Sequence, residues 1–309
     1  MFAQLILRLA DFHRRMMVVY CAALGPRLSY RIMALLATAL YRLVPFLRTR
    51  SEAQCRAVLG PRLGQEQATR VAREAFVHRI WQIADLYVAE RFLHRGTLDR
   101  VGGRLPEPYL TRLVDAQRRG QAAILLSCYY SAFDLMPVFL GYSGVPAATV
   151  YNRHPNPAFD AQRQRVRARG GCPLVPLEEA HIRIPQILEA GGSLAMIADH
   201  PAEKRGLAVT FLGLPTLVRK SVGLLAMQYR ADVVVAAIRR RGADFRFEWD
   251  VADVIDHTEY ADQPDPLRYI TERYLRAIEQ IIWRDPSQYM WVFPRWGEQT
   301  AAELAAGPA

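Results

Sequence analysis

The sequence "AAILLSCYYSAFDL", residues 122–135, decides the fold. It begins as an apolar run, which is typical of a buried strand, and it ends in polar and aromatic side chains. Further short apolar runs follow at 147–151, 193–199, 232–239 and 245–251, and helical patterns cover 157–169, 178–190, 216–229 and 266–283. Short strands that alternate with helices predict an α/β fold with a mostly parallel sheet and helices on both of its faces.

The N-terminal region has a different pattern. Two apolar stretches, 16–24 and 28–47, are separated by Gly25 and Pro26, and the longest uncharged run of the second stretch covers only residues 32–41. A helix that spans a bilayer needs roughly 20 apolar residues. The pattern, flanked by arginines, therefore favours helices that lie in a membrane interface. A spanning segment with arginines at its ends and an ordinary pair of core helices remain alternatives.

These patterns divide the chain into three parts. We predict membrane-associated N-terminal helices over 1–50, an α/β domain over 51–300 that begins with further helices, and a flexible tail over 301–309. No small-residue cleavage site follows a short apolar core, so no signal peptide is predicted. The four cysteines have no C-x-x-C spacing, which predicts neither a metal site nor disulfides and indicates a reducing compartment.

The net charge of +10 is carried almost entirely by arginine. Such a basic surface suits phosphate groups, whether on lipid head groups or on an acidic carrier protein. Arginine usage that reflects genome composition is the alternative. No nucleic-acid-binding motif is present, so a nucleic-acid partner is not predicted.

Polar side chains follow three of the predicted strands. Ligands of parallel sheets bind beyond the carboxyl ends of the strands, so we expect these side chains to meet at one edge. The aromatic segment 285–296 is predicted to be a packed strand whose Arg295 faces the same cleft. Tyr129 and Asp134, five residues apart, also fit an aromatic at a turn and a helix-capping aspartate. The candidate residues are Cys128, Tyr129, Asp134, Arg153, His154, Asp199, His200, Lys204, Arg205, Gly213 and Arg295.

Four blocks carry a resemblance to a known family. They are "AILLSCYYSAFDL" (123–135), "VYNRHPNPAFDAQRQRVRARGG" (150–171), "ILEAGGSLAMIADHPAEKRGLAVTFLGLPT" (187–216) and "DPSQYMWVFPRW" (285–296). Together they resemble, from about Leu36 to Glu298, the lipid A late acyltransferases, which are the lauroyl and myristoyl transferases of the lysophospholipid acyltransferase superfamily. In that likeness Tyr129 stands where the family has a histidine, and Asp134 stands at its acidic position.

The resemblance implies an enzyme that moves a fatty acyl group from an acyl carrier protein or coenzyme A thioester to a hydroxyl of a membrane lipid or glycolipid. The family's histidine removes the hydroxyl proton and its acidic residue orients the histidine; neither a metal nor another cofactor is needed. The resemblance places the protein at the cytoplasmic face of the bacterial inner membrane. It also implies that Arg153, Asp199, Lys204, Arg205, Gly213 and Arg295 bind substrate.

Tyr129 leaves two hypotheses open, because a tyrosine with a pKa of about 10 is a poor base near neutrality. In the first, the protein is a working acyltransferase with a displaced base, either His200 or His154, or with Cys128 as a nucleophile. In the second, it is catalytically inactive and binds acyl lipid or a partner enzyme at the membrane. A transferase that uses a thioester only as a ligand, in a specialised lipid or natural-product pathway, falls between the two.

Overall fold

The computed structural model describes residues 2–145, 147–202, 206–293 and 295–296. Its helices and strands alternate after residue 120, as the sequence predicts. The helices are α1 (Phe2–Leu43), α2 (Phe46–Leu63), α3 (Gln65–Phe92), α4 (Tyr109–Arg118), α5 (Met136–Tyr142), α6 (Pro157–Arg167), α7 (Ala180–Glu189), α8 (Ser221–Tyr229), α9 (His257–Ala261) and α10 (Pro266–Arg284). The strands are β1 (Ala123–Ser127), β2 (Ala148–Tyr151), β3 (Leu174–Pro176), β4 (Ser193–Ile197), β5 (Leu207–Phe211), β6 (Leu214–Val218), β7 (Asp232–Arg240) and β8 (Phe247–Ile255).

A six-stranded sheet in the order β3-β2-β4-β1-β7-β8 forms the centre of the fold. β1 runs parallel to both β4 and β7, and β2 runs parallel to both β3 and β4, whereas β8 is antiparallel to β7. Alternate residues of β1 enter two separate apolar cores, Ile124 on one face and Leu125 on the other. Since both faces are covered, every residue of β1 is buried, which explains its unbroken apolar run. The predicted fold class, a mostly parallel sheet with flanking helices, is confirmed.

Three details differ from the prediction. The predicted helix over 216–229 begins only at Ser221, because Thr216 pairs with Val209 in an antiparallel β5–β6 hairpin. The short edge strand β3 was not predicted, since its three residues carry too little pattern. The predicted strand over 285–296 is wrong: a 3₁₀ turn covers Pro286–Gln288, and a single β-bridge joins Tyr130 to Tyr289.

The N-terminal region is helical, and α1 is interrupted at Gly25, whose φ of 71° and ψ of 163° are not helical. Within the described residues no single helix is long and apolar enough to cross a bilayer; Asp11–Leu43 and Arg48–Leu63 meet that test only as a pair bent by 92°. The predicted boundary at residue 50 falls inside α2. The predicted tail, 301–309, lies outside the described residues. Membrane association stays a prediction, which the large exposed apolar side chains of α1 support: Phe12, Met16, Val19, Leu24, Leu28, Leu35, Leu36, Leu40 and Leu43.

A buried ionic cluster ties α1 to the rest of the molecule; we call Asp85, Arg240 and Tyr30 the Asp85 cluster. Arg240 contacts both carboxylate oxygens of Asp85, and the Tyr30 hydroxyl donates a hydrogen bond to Asp85 Oδ1 at 2.5 Å. The Arg240 guanidinium lies 4.6 Å from the ring centre of Tyr30 and 4.9 Å from that of Phe247. The cluster therefore joins α1, α3 and β7 inside an aromatic enclosure.

Candidate active site

A cavity of about 1010 Å³ lies beyond the carboxyl ends of β1, β2 and β4, where the sequence predicts a ligand site. Its walls have two characters. One wall is apolar and comes mainly from α7 and α8, with Leu177, Ala180, Ile184, Val222, Leu224 and Leu225. The other comes from α3 and α6 and is cationic, with Arg79, Arg163 and Arg167, while Arg153, Arg219 and Lys220 line the cavity beside the apolar wall. Such a cavity suits an amphiphile, whose chain would contact the first wall and whose polar group would contact the second.

Tyr129 follows β1 and is held on several sides. Its backbone N–H donates to Asp199 at 3.2 Å, its ring stacks on Phe293 at 4.9 Å between centres, and its hydroxyl lies 2.8 Å from His200 Nε2. Burial, with the nearby Asp199 charge, raises the pKa of Tyr129 to about 12. The phenol therefore keeps its proton near neutrality and cannot act there as a base.

His200 follows β4, and the convergence of strand ends brings it to Tyr129 although 71 positions separate the two in the chain. Burial, reinforced by the positive charges of Arg295 and Arg219, lowers the pKa of His200 below its ordinary value even though Asp199 opposes the shift. The imidazole is therefore uncharged at neutral pH and can accept a proton.

Asp199 is enclosed behind Tyr129 and is not among the residues that line the cavity. Arg295 Nη2 lies 2.8 Å from its carboxylate, and the Tyr289 hydroxyl donates to it at 2.9 Å. Arg295 is likewise buried, and its Nε donates to the Tyr289 hydroxyl at 2.6 Å. In this arrangement Asp199 and Arg295 fix the C-terminal segment against the backbone of Tyr129 rather than facing the cavity.

Asp134 lies in a 3₁₀ turn just after β1 and lines the cavity. Arg163 donates to its Oδ1 through Nε at 3.1 Å and through Nη2 at 3.0 Å, and Arg167 Nη2 contacts the same oxygen. Gln82 Nε2 donates to Oδ2 at 3.2 Å. Burial opposes ionisation, yet Arg167 and Arg163 together hold the pKa of Asp134 below its ordinary value. Its hydrogen-bond partners in the described chain include no histidine.

The remaining predicted residues are spread around the site. Arg153 and His154 line the cavity; Arg153 is exposed and pairs with Glu178 at 3.2 Å. The His154 ring packs edge-on against Phe159. Cys128 is fully buried behind the strand end, and burial raises the pKa of its thiol well above the ordinary value, which disfavours a thiolate nucleophile.

Gly213 is exposed at the turn of the β5–β6 hairpin and does not line the cavity. Its φ of 81° follows a φ of 51° at Leu212, and two successive positive φ values are what a tight hairpin of this kind requires. Lys204 and Arg205 lie outside the described residues, although their neighbours Ala202 and Gly206 line the cavity.

Sequence reasoning missed Arg79, Gln82, Arg163 and Arg167 as individual site residues. Arg163 and Arg167 could have been predicted from the sequence. They are four residues apart, which places their side chains on one face of a helix, and their helix α6 begins shortly after the end of β2. Arg79 and Gln82 lie on α3, where nothing in the sequence connects them to a strand end. With them, the cavity has more cationic groups than the strand-end rule reveals.

Another group of acidic residues, Asp232 and Asp256 beside His257, has its charge satisfied locally. Arg112 Nη2 lies 2.7 Å from Asp232 and 2.6 Å from Asp256, and His257 Nδ1 lies 2.9 Å from Asp232. Because a guanidinium already occupies the space between the carboxylates, we assign no metal ion to this group.

The fold and the cavity together define an α/β protein with a partly apolar and partly cationic cavity at the carboxyl edge of its sheet. The chain matches the family described as bacterial lipid A biosynthesis acyltransferase over residues 14–298, and it belongs to that family. The match extends the likeness to include most of α1. No curated protein matches the chain. Membership identifies acyl transfer to a lipid A-type substrate as the activity of the family.

Proposed function

We propose that the protein transfers a fatty acyl group from an acyl carrier protein or coenzyme A thioester to a hydroxyl of a membrane lipid or glycolipid, with His200 as the general base. The observation that supports this most is the 2.8 Å distance between His200 Nε2 and the Tyr129 hydroxyl. It brings an uncharged imidazole to the residue that, by resemblance, replaces the family's histidine. Both side chains line the cavity.

In the proposed reaction the acceptor hydroxyl replaces the Tyr129 phenol as the partner of His200 Nε2. His200 takes the hydroxyl proton as the acceptor oxygen attacks the thioester carbonyl. The tetrahedral intermediate collapses with cleavage of the C–S bond, and the leaving thiolate takes the proton from His200. The products are the acyl ester and the free thiol, and no cofactor beyond the thioester takes part.

The surface and the charge of the protein fit a reaction at a membrane. Large apolar side chains of α1 are exposed, and the net charge of +10 suits both anionic lipid and an acidic carrier protein. We therefore propose that the protein works at the cytoplasmic face of the bacterial inner membrane.

Purified full-length protein, incubated with mixed bacterial lipids and with an acyl thioester of acyl carrier protein or coenzyme A that is radiolabelled in its acyl chain, tests the proposal. Loss of the base should lower the rate of acyl ester formation by about 10² to 10⁴ in His200→Ala. The matched control is His181→Ala, because His181 also lines the cavity but is exposed. Tyr129→Phe should retain most activity if the acceptor meets His200 directly, whereas a large loss would indicate that the phenol relays the proton. Equal rates in wild type and His200→Ala would contradict this assignment, and His154→Ala would then test the other histidine.

A catalytically inactive lipid-binding protein is the second candidate. The geometry of Asp134 favours this candidate: its carboxylate accepts hydrogen bonds from two arginines and a glutamine and does not orient a histidine. This candidate predicts that wild type forms no acyl ester with any donor, while it still binds lipid. If Tyr129→His forms acyl ester and wild type does not, the inactive lipid-binding candidate is supported.

A further inference from the structure

The cationic end of the cavity carries more positive charge than its own carboxylate balances. We call Asp134, Arg163, Arg167, Gln82 and Arg79 the Asp134 cluster. Arg163 and Arg167 contact the carboxylate directly, and Arg79 reaches it through Gln82: Arg79 Nη1 donates to Gln82 Oε1 at 2.6 Å, and Gln82 Nε2 donates to Asp134 at 3.2 Å. Among the described residues, three guanidinium groups thus face one carboxylate, and all four of these charged groups line the same cavity.

Arg167 is the strongest indication that something further binds here. Its side chain is only 6% exposed, and the one ion pair that it forms with a described residue runs from Nη2 to Asp134. Its Nε and Nη1 atoms are buried and have no hydrogen-bond partner within the described residues. Buried N–H groups in folded proteins almost always have an acceptor, so these donors point to a ligand that supplies one.

Neighbouring charges support the same conclusion. Burial lowers the pKa of both Arg79 and Arg167, and the positive charge of Arg163 contributes to both shifts although Asp134 opposes them. The charge of Asp134 acts on each of them more strongly than that of Arg163, so burial is what lowers the two pKa values, and the excess of positive charge is one of number. An anion in the cavity would offset the cost of burying these guanidinium groups and satisfy the free donors together.

We propose that the Asp134 cluster binds the phosphate monoester of an amphiphilic ligand, and that Asp134 acts there as a counter-ion of the arginines rather than as a residue that orients a base. A phosphate monoester carries close to two negative charges above its second pKa of about 6, which matches the excess of two guanidinium groups. Arginine also recognises phosphate through paired N–H donors. The ligand's apolar part would lie along the wall formed by α7 and α8.

Two sources offer this chemistry: the monoester phosphate of a lipid head group and the 3′-phosphate of coenzyme A. The role of this phosphate site in catalysis rests on the proposed function. Phosphate binding itself does not require acyl transfer. It can therefore be measured separately from acyl transfer.

Isothermal titration calorimetry of the full chain with decyl phosphate tests the inference, with octyl glucoside as the uncharged amphiphile. Decyl phosphate should bind at least roughly tenfold more tightly, and its affinity should increase as the pH rises through the second phosphate pKa. Arg163→Gln should weaken decyl phosphate binding roughly tenfold, because it removes a charge-assisted hydrogen-bond donor. Arg118→Gln is the matched control, since Arg118 is exposed and distant from the cavity lining, and it should bind like wild type.

Asp134→Asn is the decisive variant because it keeps the shape of the side chain and removes the charge. The counter-ion role predicts tighter decyl phosphate binding than in wild type, whereas weaker binding would overturn it. Unchanged affinity in Arg163→Gln, or equal affinity for decyl phosphate and octyl glucoside, would overturn the inference without depending on whether Asp134→Asn folds.

Two further measurements identify the source of the phosphate and distinguish this inference from the proposed reaction. Coenzyme A that binds more tightly than dephospho-coenzyme A assigns the cluster to the acyl donor, and equal binding of the two beside tight decyl phosphate binding assigns it to the lipid. His200→Ala should lose acyl transfer and keep phosphate binding. Transfer without phosphate binding would reject the inference alone, and phosphate binding without transfer would reject the proposed reaction alone.

Discussion

Asp85 and Asp134 are both buried aspartates held by arginine, but their surroundings differ in two ways. Asp85 faces one arginine, Arg240, with both carboxylate oxygens engaged, and aromatic rings enclose the pair. Asp134 faces two arginines directly and opens onto the cavity. One arrangement is balanced and sealed, and the other has excess positive charge and an open side.

The pKa directions reflect that difference. At Asp134 the two arginines outweigh burial and hold the pKa of the carboxyl low. In the Asp85 cluster burial pulls the pKa of Asp85 upward, while Asp85 and Tyr30 hold the pKa of Arg240 above its ordinary value. The two-oxygen contact with Arg240 and the Tyr30 hydroxyl both require an accepting carboxylate, so we assign an ionised pair. A buried, balanced pair of this kind positions helices, whereas an open cluster with surplus positive charge suits the phosphate ligand that we propose.

The largest expected effect is that of Asp85→Asn, which leaves Arg240 buried without a counter-ion. Breaking a buried pair on one side costs about 3–5 kcal/mol, so the free energy of unfolding in urea should fall by that amount. Asp134→Asn is the matched comparison. Added phosphate should stabilise Asp134→Asn more than Asp85→Asn, because Asp134 lines the large cavity whereas the side chains of Asp85 and Arg240 are only 1% and 2% exposed. Equal stabilisation of both variants would remove the distinction between them.

The next effect is on pH dependence and concerns His78, which packs edge-on against Trp81 near Arg240. Burial, together with the positive charge of Arg240, lowers the pKa of His78 to about 4. The unfolded chain takes up this proton near pH 6.5 and the folded chain only near pH 4, so stability is lost as the pH falls through that window. The loss should reach about 3 kcal/mol at the lower end.

His78→Phe keeps an aromatic ring and removes the titrating group. Urea unfolding curves between pH 4 and pH 7 should therefore show a shallower decline in this variant, by up to about 1.4 kcal/mol per pH unit. A slope equal to that of wild type would mean that burial and the charge of Arg240 do not keep His78 neutral.

The sequence predicts the central sheet well because β1, β4 and β7 each carry an uninterrupted apolar run, and a parallel sheet requires such runs. The strand-end rule also predicts that Tyr129 and His200 meet. It does not predict the partners of Asp134, since Arg163 and Arg167 lie on the helix that follows a different strand. Asp85 carried no signal at all: it occupies an ordinary helix position, and its partner Arg240 is 155 residues away.

A smaller effect is expected from Tyr30→Phe, which keeps the ring over Arg240 and removes the hydroxyl that donates to Asp85. Hydrogen bonds to charged groups contribute about 1.5–3 kcal/mol, and the free energy of unfolding should fall by an amount in that range. Because Tyr30 acts through the carboxylate, the double variant Tyr30→Phe/Asp85→Asn should be little less stable than Asp85→Asn alone. Full additivity in this cycle would show that Tyr30 and Asp85 stabilise the fold independently.

The smallest effect is expected where an arginine pairs with a carboxylate in solvent. Arg153 and Glu178 lie 3.2 Å apart at the rim of the cavity, and their side chains are 59% and 62% exposed. Water screens such a pair and competes for its hydrogen bonds, so Arg153→Gln should lower the free energy of unfolding by no more than about 1 kcal/mol. Urea unfolding of Arg153→Gln, Glu178→Gln and the double variant measures the coupling between them. A coupling energy as large as the cost of Asp85→Asn would show that burial does not set the strength of these arginine–carboxylate pairs. The contrast between the buried pair at Asp85, the open cluster at Asp134 and the exposed pair at Arg153 would then lose its physical basis.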